Sequence, residues 1–406
     1  MKIRNLLLAC GLLPATLSAQ VTFNVDFMKK GPELSNRQYG IFFEEINHAG
    51  DGGLYAELVR NRSFEDNGGN PDCWWTVGSA SQGIATNNPL NGANPRCIRV
   101  VMNAPNAGVR NEGWWGMKIV RGQVYKLSFW MCSGNEPYTG NIKAQLQNRN
   151  GENLGSVTID NSSLSTTSKW KKVTAEITAT GNDNDGWLAL IGTKAGTVYY
   201  DVVSLFPPTY KDRPNGCRKD LAEMLEAIHP KFLRFPGGCV VEGAGTVQVQ
   251  NRFEWKKSRG PIEERPGHYN RNWNYPVTDG LGMMEYLQLA EDLGAEPLFV
   301  CNMGMGHEWE DPNVEPYIQE ALDAIEYCNG DASTKWGKLR IQDGHPEPFN
   351  LRLLEIGNEN YWFAPYSPRY NQFVQRISAV YPYIEFVGNA GWVGDRIGMA
   401  LEISNE

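Results

Sequence analysis

The pattern of apolar and polar positions divides the chain into three regions. Two short runs near the start, residues 21–27 and 39–45, predict strands, because apolar side chains alternate in the first and form a block ending in acids in the second. From residue 66 to residue 206, short alternating runs are separated by clusters of Gly, Asn and Ser, which predicts an all-β sandwich. From residue 207 onward, helix-like and strand-like segments alternate.

The third region repeats apolar residues at i, i+3, i+4 and i+7, the spacing of amphipathic helices, between short strand-like runs. The predicted helices cover residues 221–228, 281–293, 318–328 and 367–380, and the predicted strands cover 232–235, 297–300, 353–356 and 385–387. Strands that alternate with helices indicate a parallel sheet whose faces are covered.

Two α/β architectures fit this alternation. A doubly wound sheet places its ligand loops near Gly-rich helix starts, whereas a (β/α)8 TIM-type barrel places functional residues at the carboxyl ends of its strands. Glu44, Arg234 and Glu359 all occupy such ends, which favours the barrel. If Glu44 ends strand 1, the chain supplies about strands 1–5 of a partial barrel, with the sandwich as an inserted module.

The start of the chain is typical of a secretory signal peptide. Lys2 and Arg4 precede an apolar run that is too short to span a bilayer, and a small-residue cleavage site ends at Ala19. A lipoprotein site at Cys10 is the alternative. The predicted domains are therefore residues 1–19 (signal), 20–65 (leading strand and first barrel strand), 66–206 (sandwich) and 207–406 (barrel strands 2–5).

Charge and motif content exclude several function classes. The net charge of −8, without any basic run, argues against nucleic acid as a partner. The cysteines lack C-x-x-C spacing and the histidines lack H-E-x-x-H spacing, so the sequence predicts neither a disulfide framework nor a zinc site. A G-x-S-x-G elbow is also absent from the sequence.

Glu359 is the strongest catalytic candidate, because it follows an apolar strand and stands beside Asn358. Cleavage of a glycoside needs one carboxylic acid to protonate the leaving oxygen and a second carboxylate to attack or to activate water. Glu359 suits the first role, and Asn358 could hold a hydroxyl next to the reacting carbon. The alternative is a strand-end Glu that caps the following helix.

Arg234 ends another predicted strand, before a Pro-Gly-Gly turn. A buried Arg needs carboxylate partners, and Glu44 or Glu359 could supply them; a salt bridge that only closes the barrel is the alternative. Trp114 and Trp115 are candidates for stacking on a sugar in the sandwich module, although such a pair can also form its core and rim.

Four motifs occur in a specific order. They are Tyr-Gly-Ile-Phe-Phe-Glu-Glu-Ile (39–46), Arg-Phe-Pro-Gly-Gly (234–238), Gly-Ala-Glu-Pro (294–297) and Ile-Gly-Asn-Glu (356–359). Gly-Asn-Glu alone is shared by other clan A glycosidases, but the ordered set resembles the α-L-arabinofuranosidases of glycoside hydrolase family 51, in the subgroup with an inserted carbohydrate-binding module. The resemblance runs from about residue 21 to the last residue.

This resemblance implies a retaining hydrolase that removes terminal α-L-arabinofuranosyl residues from plant cell-wall polysaccharides such as arabinan and arabinoxylan, without cofactor or metal. By position, Glu359 is implied to be the general acid/base, Asn358 to contact the hydroxyl at carbon 2, Glu44 to bind arabinose hydroxyls and Arg234 to organise the pocket floor. Many relatives have Asn where this chain has Cys239, so no amide contact is carried over there.

The family's nucleophilic Glu lies on strand 7, and a C-terminal β-sandwich follows it; neither is expected within these 406 residues. The chain is therefore expected to be an N-terminal portion that is inactive, or nearly so, on its own. Two alternatives are a non-catalytic polysaccharide-binding fragment built on residues 66–206, and another clan A glycosidase such as an endo-xylanase or glucanase.

Overall fold

The computed structural model describes residues 23–389, apart from 32, 34, 69, 165 and 166, and it divides the chain into two compact units, residues 1–38 and 39–406. The described part of the smaller unit contains turns and no strand. The leading strand predicted at 21–27 is therefore wrong for residues 23–27, where Phe23, Val25 and Phe27 are all exposed and the alternation buries nothing. The predicted signal peptide and Cys10 lie outside the described residues.

The larger unit contains 18 strands and six α-helices among its described residues. The strands are β1 (Ile41–Phe42), β2 (Trp74–Val77), β3 (Ala80–Ala85), β4 (Cys97–Met102), β5 (Ala107–Asn111), β6 (Met117–Ile119), β7 (Val124–Ser133), β8 (Ile142–Gln147), β9 (Asn153–Ile159), β10 (Lys171–Thr178), β11 (Asp183–Gly192), β12 (Gly196–Phe206), β13 (Phe232–Phe235), β14 (His268–Asn270), β15 (Tyr275–Val277), β16 (Glu296–Cys301), β17 (Leu353–Ile356) and β18 (Glu385–Val387). The helices are α1 (Lys219–Ala227), α2 (Cys239–Glu242), α3 (Met283–Leu293), α4 (Glu315–Asn329), α5 (Lys335–Gln342) and α6 (Tyr366–Ser378).

A five-stranded parallel sheet is the frame of the site. Its strands occur in the order β1-β13-β16-β17-β18, which is also their order along the chain. Each strand pairs in parallel with the strand of this sheet that precedes it in sequence. The four helices predicted from apolar spacing are confirmed by α1, α3, α4 and α6, and the four predicted strands by β13, β16, β17 and β18. The first predicted strand is shorter than expected, since only Ile41 and Phe42 pair with β13.

The two faces of this sheet have different neighbours. Phe235, Phe299 and Leu354 point to the face that packs against α1, α3, α4 and α6 in one large hydrophobic core. Because successive side chains of a strand alternate between faces, Arg234 and Glu355 belong to the opposite face, where a small apolar cluster contains Leu298, Val300 and Leu353. The charged side chains therefore lie on the face away from the long helices.

The sandwich consists of two antiparallel sheets around a second core. One sheet has the order β10-β7-β12-β4-β3, and the other has the order β2-β5-β11-β8-β9 with β6 also paired to β11. Asn91 and Asn94 donate side-chain hydrogen bonds of 2.6 and 2.7 Å to the backbone oxygen of Glu263, which joins the sandwich to a loop of the α/β region. Among the residues described, no helix combines the length and apolar content required to cross a bilayer.

Candidate active site

Four residues predicted to be functional lie at the carboxyl ends of three strands of the parallel sheet. Glu44 follows β1, Arg234 lies near the end of β13, and Asn358 and Glu359 follow β17. Parallel strands end at the same edge of a sheet, so residues far apart in sequence converge there. The structure brings these four together, because the charges of Glu44 and Glu359 both act to raise the pKa of Arg234 and its guanidinium bonds Asn358.

The partner of Arg234 differs from the one expected. Its Nε and Nη2 atoms donate to the two carboxylate oxygens of Glu355 at 2.5 and 2.8 Å, so neither Glu44 nor Glu359 forms the close ion pair. Glu355 is the third residue of β17 and is only 6% exposed, and it also accepts a 3.1 Å hydrogen bond from Asn389. A planar guanidinium held by two parallel bonds is fixed in orientation as well as in position.

Asn358 is held on both sides of its amide group. Its Oδ1 accepts a 3.0 Å bond from Arg234, and its Nδ2 donates at 3.3 Å to Glu242, a carboxylate that is 1% exposed. Asn360 donates to the other oxygen of Glu242 at 2.5 Å. Because an amide nitrogen carries two hydrogens, the Asn358 side chain keeps one donor for another group while its orientation is fixed.

Glu359 has a different environment from these buried groups. Its side chain is 59% exposed, and its Oε2 lies 3.6 Å from Nε2 of His307. Its backbone has φ +51° and ψ +20°, the left-handed region, which non-glycine residues rarely adopt and which is enriched at functional sites. Its side chain forms no cap on the short helix that follows, so the helix-capping alternative is wrong.

His307 and Cys239 add a second group of polar side chains at the same place. His307 Nδ1 lies 3.1 Å from Glu242. Hydrogen bonds with the Cys239 thiol and with Glu242 raise the pKa of His307 to about 10. A protonated imidazole therefore faces Glu359 at neutral pH.

Glu44 is packed directly against the turn that follows β13. Gly237, with φ +111°, approaches so closely that a Cβ on it would lie 2.4 Å from the Glu44 Cβ. The backbone N–H of Val240 donates to Glu44 at 3.1 Å. Burial raises the pKa of the Glu44 carboxyl, and the Val240 N–H, the Trp273 side chain and the charge of Arg234 partly offset that effect.

Trp114 and Trp115 lie outside this group, with their ring centroids 6.1 Å apart, and they differ in exposure. Trp114 packs on His48, at a ring-centroid distance of 5.2 Å, and its ring lies 5.0 Å from the Arg60 guanidinium carbon. Trp115 is 68% exposed. The ring of His48 also lies 5.5 Å from that of Trp115 and stacks on Tyr275 at 3.9 Å. Because His48 is in the loop that follows β1, both tryptophans contact that loop.

Sequence reasoning missed Glu242, His307 and Glu355. The position of Glu355 could have predicted its role, because a charged residue inside an otherwise apolar strand must be paired when it is buried. Glu242 and His307 showed no such pattern, since Glu242 lies in the short helix α2 and His307 in the loop after β16, and their approach depends on the whole fold.

Both regions of the chain are similar to known protein families. A family model described as alpha-L-arabinofuranosidase 1 domain matches residues 224–399, and one described as carbohydrate binding domain matches residues 56–197. The alpha-L-arabinofuranosidase 2 of Arabidopsis thaliana is 39% identical over 400 residues, which cover 93% of this chain and 57% of that protein. The extracellular exo-alpha-L-arabinofuranosidase of Streptomyces chartreusis is 37% identical, over 95% of this chain and 48% of that protein.

Among solved structures, an arabinose-bound GH51 α-L-arabinofuranosidase is similar with a TM-score of 0.80 and 35% identity. That match covers 87% of this chain and 59% of the other one. The chain thus spans about half the length of the curated relatives it matches, 57% and 48% for the two described above.

Proposed function

Since the chain belongs to the α-L-arabinofuranosidases of glycoside hydrolase family 51, we propose that the protein removes terminal α-L-arabinofuranosyl residues from arabinose-containing polysaccharides with retention of configuration. The observation that carries the proposal is the pairing of an exposed Glu359 with an Asn358 whose amide is fixed by Arg234 and Glu242. The Glu359 carboxyl is accessible to a substrate, and the Asn358 amide beside it is held in a fixed orientation.

In this proposal Glu359 is the acid/base. It protonates the glycosidic oxygen as the bond breaks and, as a carboxylate, later takes a proton from the attacking water. The remaining amide hydrogen of Asn358 bonds the hydroxyl at carbon 2, where a fixed donor is worth most as charge develops. A retaining mechanism pairs this group with a nucleophilic carboxylate about 5–5.5 Å away; the proposal assigns the acid/base half of that pair to this chain.

Glu44 and Arg234 complete the proposed pocket. Glu44 binds arabinose hydroxyls with a carboxylate that the Gly237 turn holds in place. Arg234 organises the floor, because it ties Glu355 and Asn358 into one bonded group.

We also propose that the parallel sheet is a segment of a (β/α)8 barrel. The sequential strand order supports it, and so does the position of α1, α3, α4 and α6 on one face of the sheet. A doubly wound sheet would carry long helices on both faces. In a barrel, the face that carries Arg234 and Glu355 becomes the interior.

The decisive experiment compares the full-length protein with its Glu359→Gln variant on an aryl α-L-arabinofuranoside. We expect kcat on a poor leaving group to fall by about 10²–10⁴-fold, the usual contribution of a general acid/base. Azide should partly restore turnover on an activated leaving group and yield an arabinosyl azide, because it replaces the water that Glu359 would have to deprotonate. Glu308→Gln, an exposed carboxylate on a neighbouring loop, is the matched control.

Unchanged turnover in Glu359→Gln would remove the acid/base assignment. Cleavage of aryl xylosides or glucosides, with none of the arabinofuranoside, would favour another clan A glycosidase instead.

A second function, polysaccharide binding by the sandwich, rests on Trp115. Its exposed ring offers the flat apolar face on which sugars stack. Trp115→Ala should weaken retention on insoluble arabinoxylan and leave kcat/KM on the small aryl substrate unchanged. Equal retention of the variant and the parent protein would make Trp115 a rim residue only.

We further propose that the protein acts outside the cell on plant cell-wall arabinan or arabinoxylan. The signal-like start of the chain supports this, and so does the name of the Streptomyces chartreusis relative, which includes the word extracellular. Accumulation of the mature protein in the culture medium, with an N-terminus near Ala19, tests secretion; retention in the cell with an intact N-terminus would contradict it.

A further inference from the structure

Three metal-ligand side chains meet beside the proposed acid/base. The ligand atoms of Cys239, Glu242 and His307 all lie within 4.8 Å of one another, and among the described residues they form the one such group found. Their sequence spacing does not resemble a zinc motif, because Cys239 and Glu242 come from α2 and His307 from the loop after β16. We propose that this group binds a zinc ion, and that the ion blocks the candidate active site reversibly.

The donor set selects the type of metal. A thiolate and an imidazole favour zinc over magnesium or calcium, which prefer oxygen ligands. Zinc sites with three protein ligands keep a fourth position open for water. The exposed third of the His307 side chain leaves room for that position.

The geometry requires only a small adjustment. Ligands at the usual zinc distances are about 3.3–3.8 Å apart in a tetrahedron, so donors that lie within 4.8 Å of one another have to approach by at most about 1.5 Å. Cys239 and Glu242 are three residues apart on a helical turn and therefore share one face. Glu242 is already oriented by amide hydrogen bonds from Asn358 and Asn360, the kind of outer contact that supports metal ligands.

Binding is a simple exchange of protons for metal. Cys239 gives up its thiol proton, and the ligating nitrogen of His307 gives up its hydrogen, both to solvent, with no change of oxidation state. His307 Nδ1 lies beside the Glu242 oxygen to which Asn358 also donates, so an ion bound between them competes with the hydrogen bond that orients Asn358. The blocking effect rests on the proposed function, whereas the binding itself does not.

The test begins with metal-free protein and zinc alone, without substrate. Competition with a chromogenic chelator should reveal one zinc per chain, and cobalt in place of zinc should give a thiolate-to-metal charge-transfer absorption. Cys239→Ser and His307→Asn should each weaken binding by at least about tenfold, because even the loss of an outer contact weakens zinc sites 10–100-fold. Cys73 is, among the described residues, the other cysteine that is not fully buried, and Cys73→Ser should bind zinc as the parent protein does.

Absence of stoichiometric binding, or binding that both ligand variants retain, would overturn the site. Circular dichroism and thermal melting of the metal-free variants establish that a loss of binding is not a loss of fold. Hydrolysis in the full-length protein should fall on addition of zinc and recover with EDTA, and zinc binding that leaves hydrolysis unchanged would overturn the blocking step. Failure of the arabinofuranosidase assay itself would contradict the proposed function and leave the binding result standing.

Discussion

Arg234 and Glu355 form an ion pair with two hydrogen bonds across the parallel sheet, although β16 lies between the strands that carry them. The pair spans this strand because both side chains are long and lie on the face away from the helices. It also fixes Asn358, which accepts from the same Nη2 atom that bonds Glu355. One buried pair thus links the sheet to the proposed catalytic loop.

Removing only the arginine should be strongly destabilising. In Arg234→Met, the buried Glu355 keeps one hydrogen bond, from Asn389, and loses its counter-charge. We expect a loss of about 3–5 kcal/mol in the free energy of unfolding, measured with urea. Arg234→Met combined with Glu355→Leu should recover most of that loss, because two apolar side chains of similar size need no partner.

The double variant separates stability from function. It should fold yet hydrolyse poorly, since Asn358 loses the donor that orients it. If the loss of unfolding free energy in the double variant equalled the sum of the losses in the two single variants, the interaction between Arg234 and Glu355 would not explain the destabilisation.

Gly237 sets the distance between the Pro-Gly-Gly turn and the end of β1. Gly237→Ala places a Cβ 2.4 Å from the Glu44 Cβ and 2.6 Å from the Phe43 oxygen, at a φ of +111°. We expect a loss of about 3 kcal/mol or more in unfolding free energy, because overlap with backbone adds to conformational strain. Gly294→Ala has a positive φ but open space around its Cβ, so it should lose only about 1–2 kcal/mol. Equal losses of unfolding free energy in the two variants would show that the strain of the positive φ, and not the overlap with Glu44 and Phe43, causes the destabilisation.

Much of the parallel sheet and of the candidate active site could be predicted from the sequence, for a physical reason. Apolar spacing predicted the four long helices, and the rule that parallel strands end at one edge predicted that Glu44, Arg234 and Glu359 would meet. The rule does not give the register of side chains across strands. The partner of Arg234 was therefore assigned to the wrong carboxylates.

The remaining contacts depend on loop paths that no local pattern specifies. Glu242 and His307 are 65 residues apart in the chain, by subtraction of their numbers, and meet only because the loops after β13 and β16 converge. Likewise, Trp114 and Trp115 are identical in type and adjacent in sequence. The left-handed backbone at Trp115, φ +59°, helps to turn its ring toward solvent, and sequence alone does not predict it.

The two tryptophans should therefore differ in their contribution to stability. Trp114→Ala removes contacts with His48 and Arg60, and we expect a loss of about 1–3 kcal/mol, measured by urea unfolding. Trp115→Ala should change the free energy of unfolding by no more than about 0.5 kcal/mol, the usual range for an exposed site. A larger effect at Trp115 would mean that its ring packs on the protein rather than facing solvent.

Glu45 should make stability depend on pH in an unusual range. Burial, and then the charge of Asp51, raise the pKa of its carboxyl from 4.5 to about 8. The folded protein therefore holds this proton more tightly than the unfolded chain does. The resulting stability is fully present below pH 4.5 and is lost as the pH rises toward 8, with a slope of about 1.4 kcal/mol per pH unit.

Glu45→Gln tests this coupling, because an amide does not titrate. The amide oxygen can keep the bond from Tyr275, but its NH₂ group faces the Asp51 N–H, so we expect a loss of about 1–3 kcal/mol below pH 4.5. Above that pH the parent protein loses the contribution of Glu45 and the variant has none to lose, so the difference should shrink toward pH 8. The diagnostic quantity is the slope of the unfolding free energy against pH. This slope should become flatter in the variant, and the titration of other buried carboxyls, such as Asp51, whose pKa burial also raises, should remain. Parallel curves for the two proteins up to pH 8 would exclude Glu45 as the titrating group.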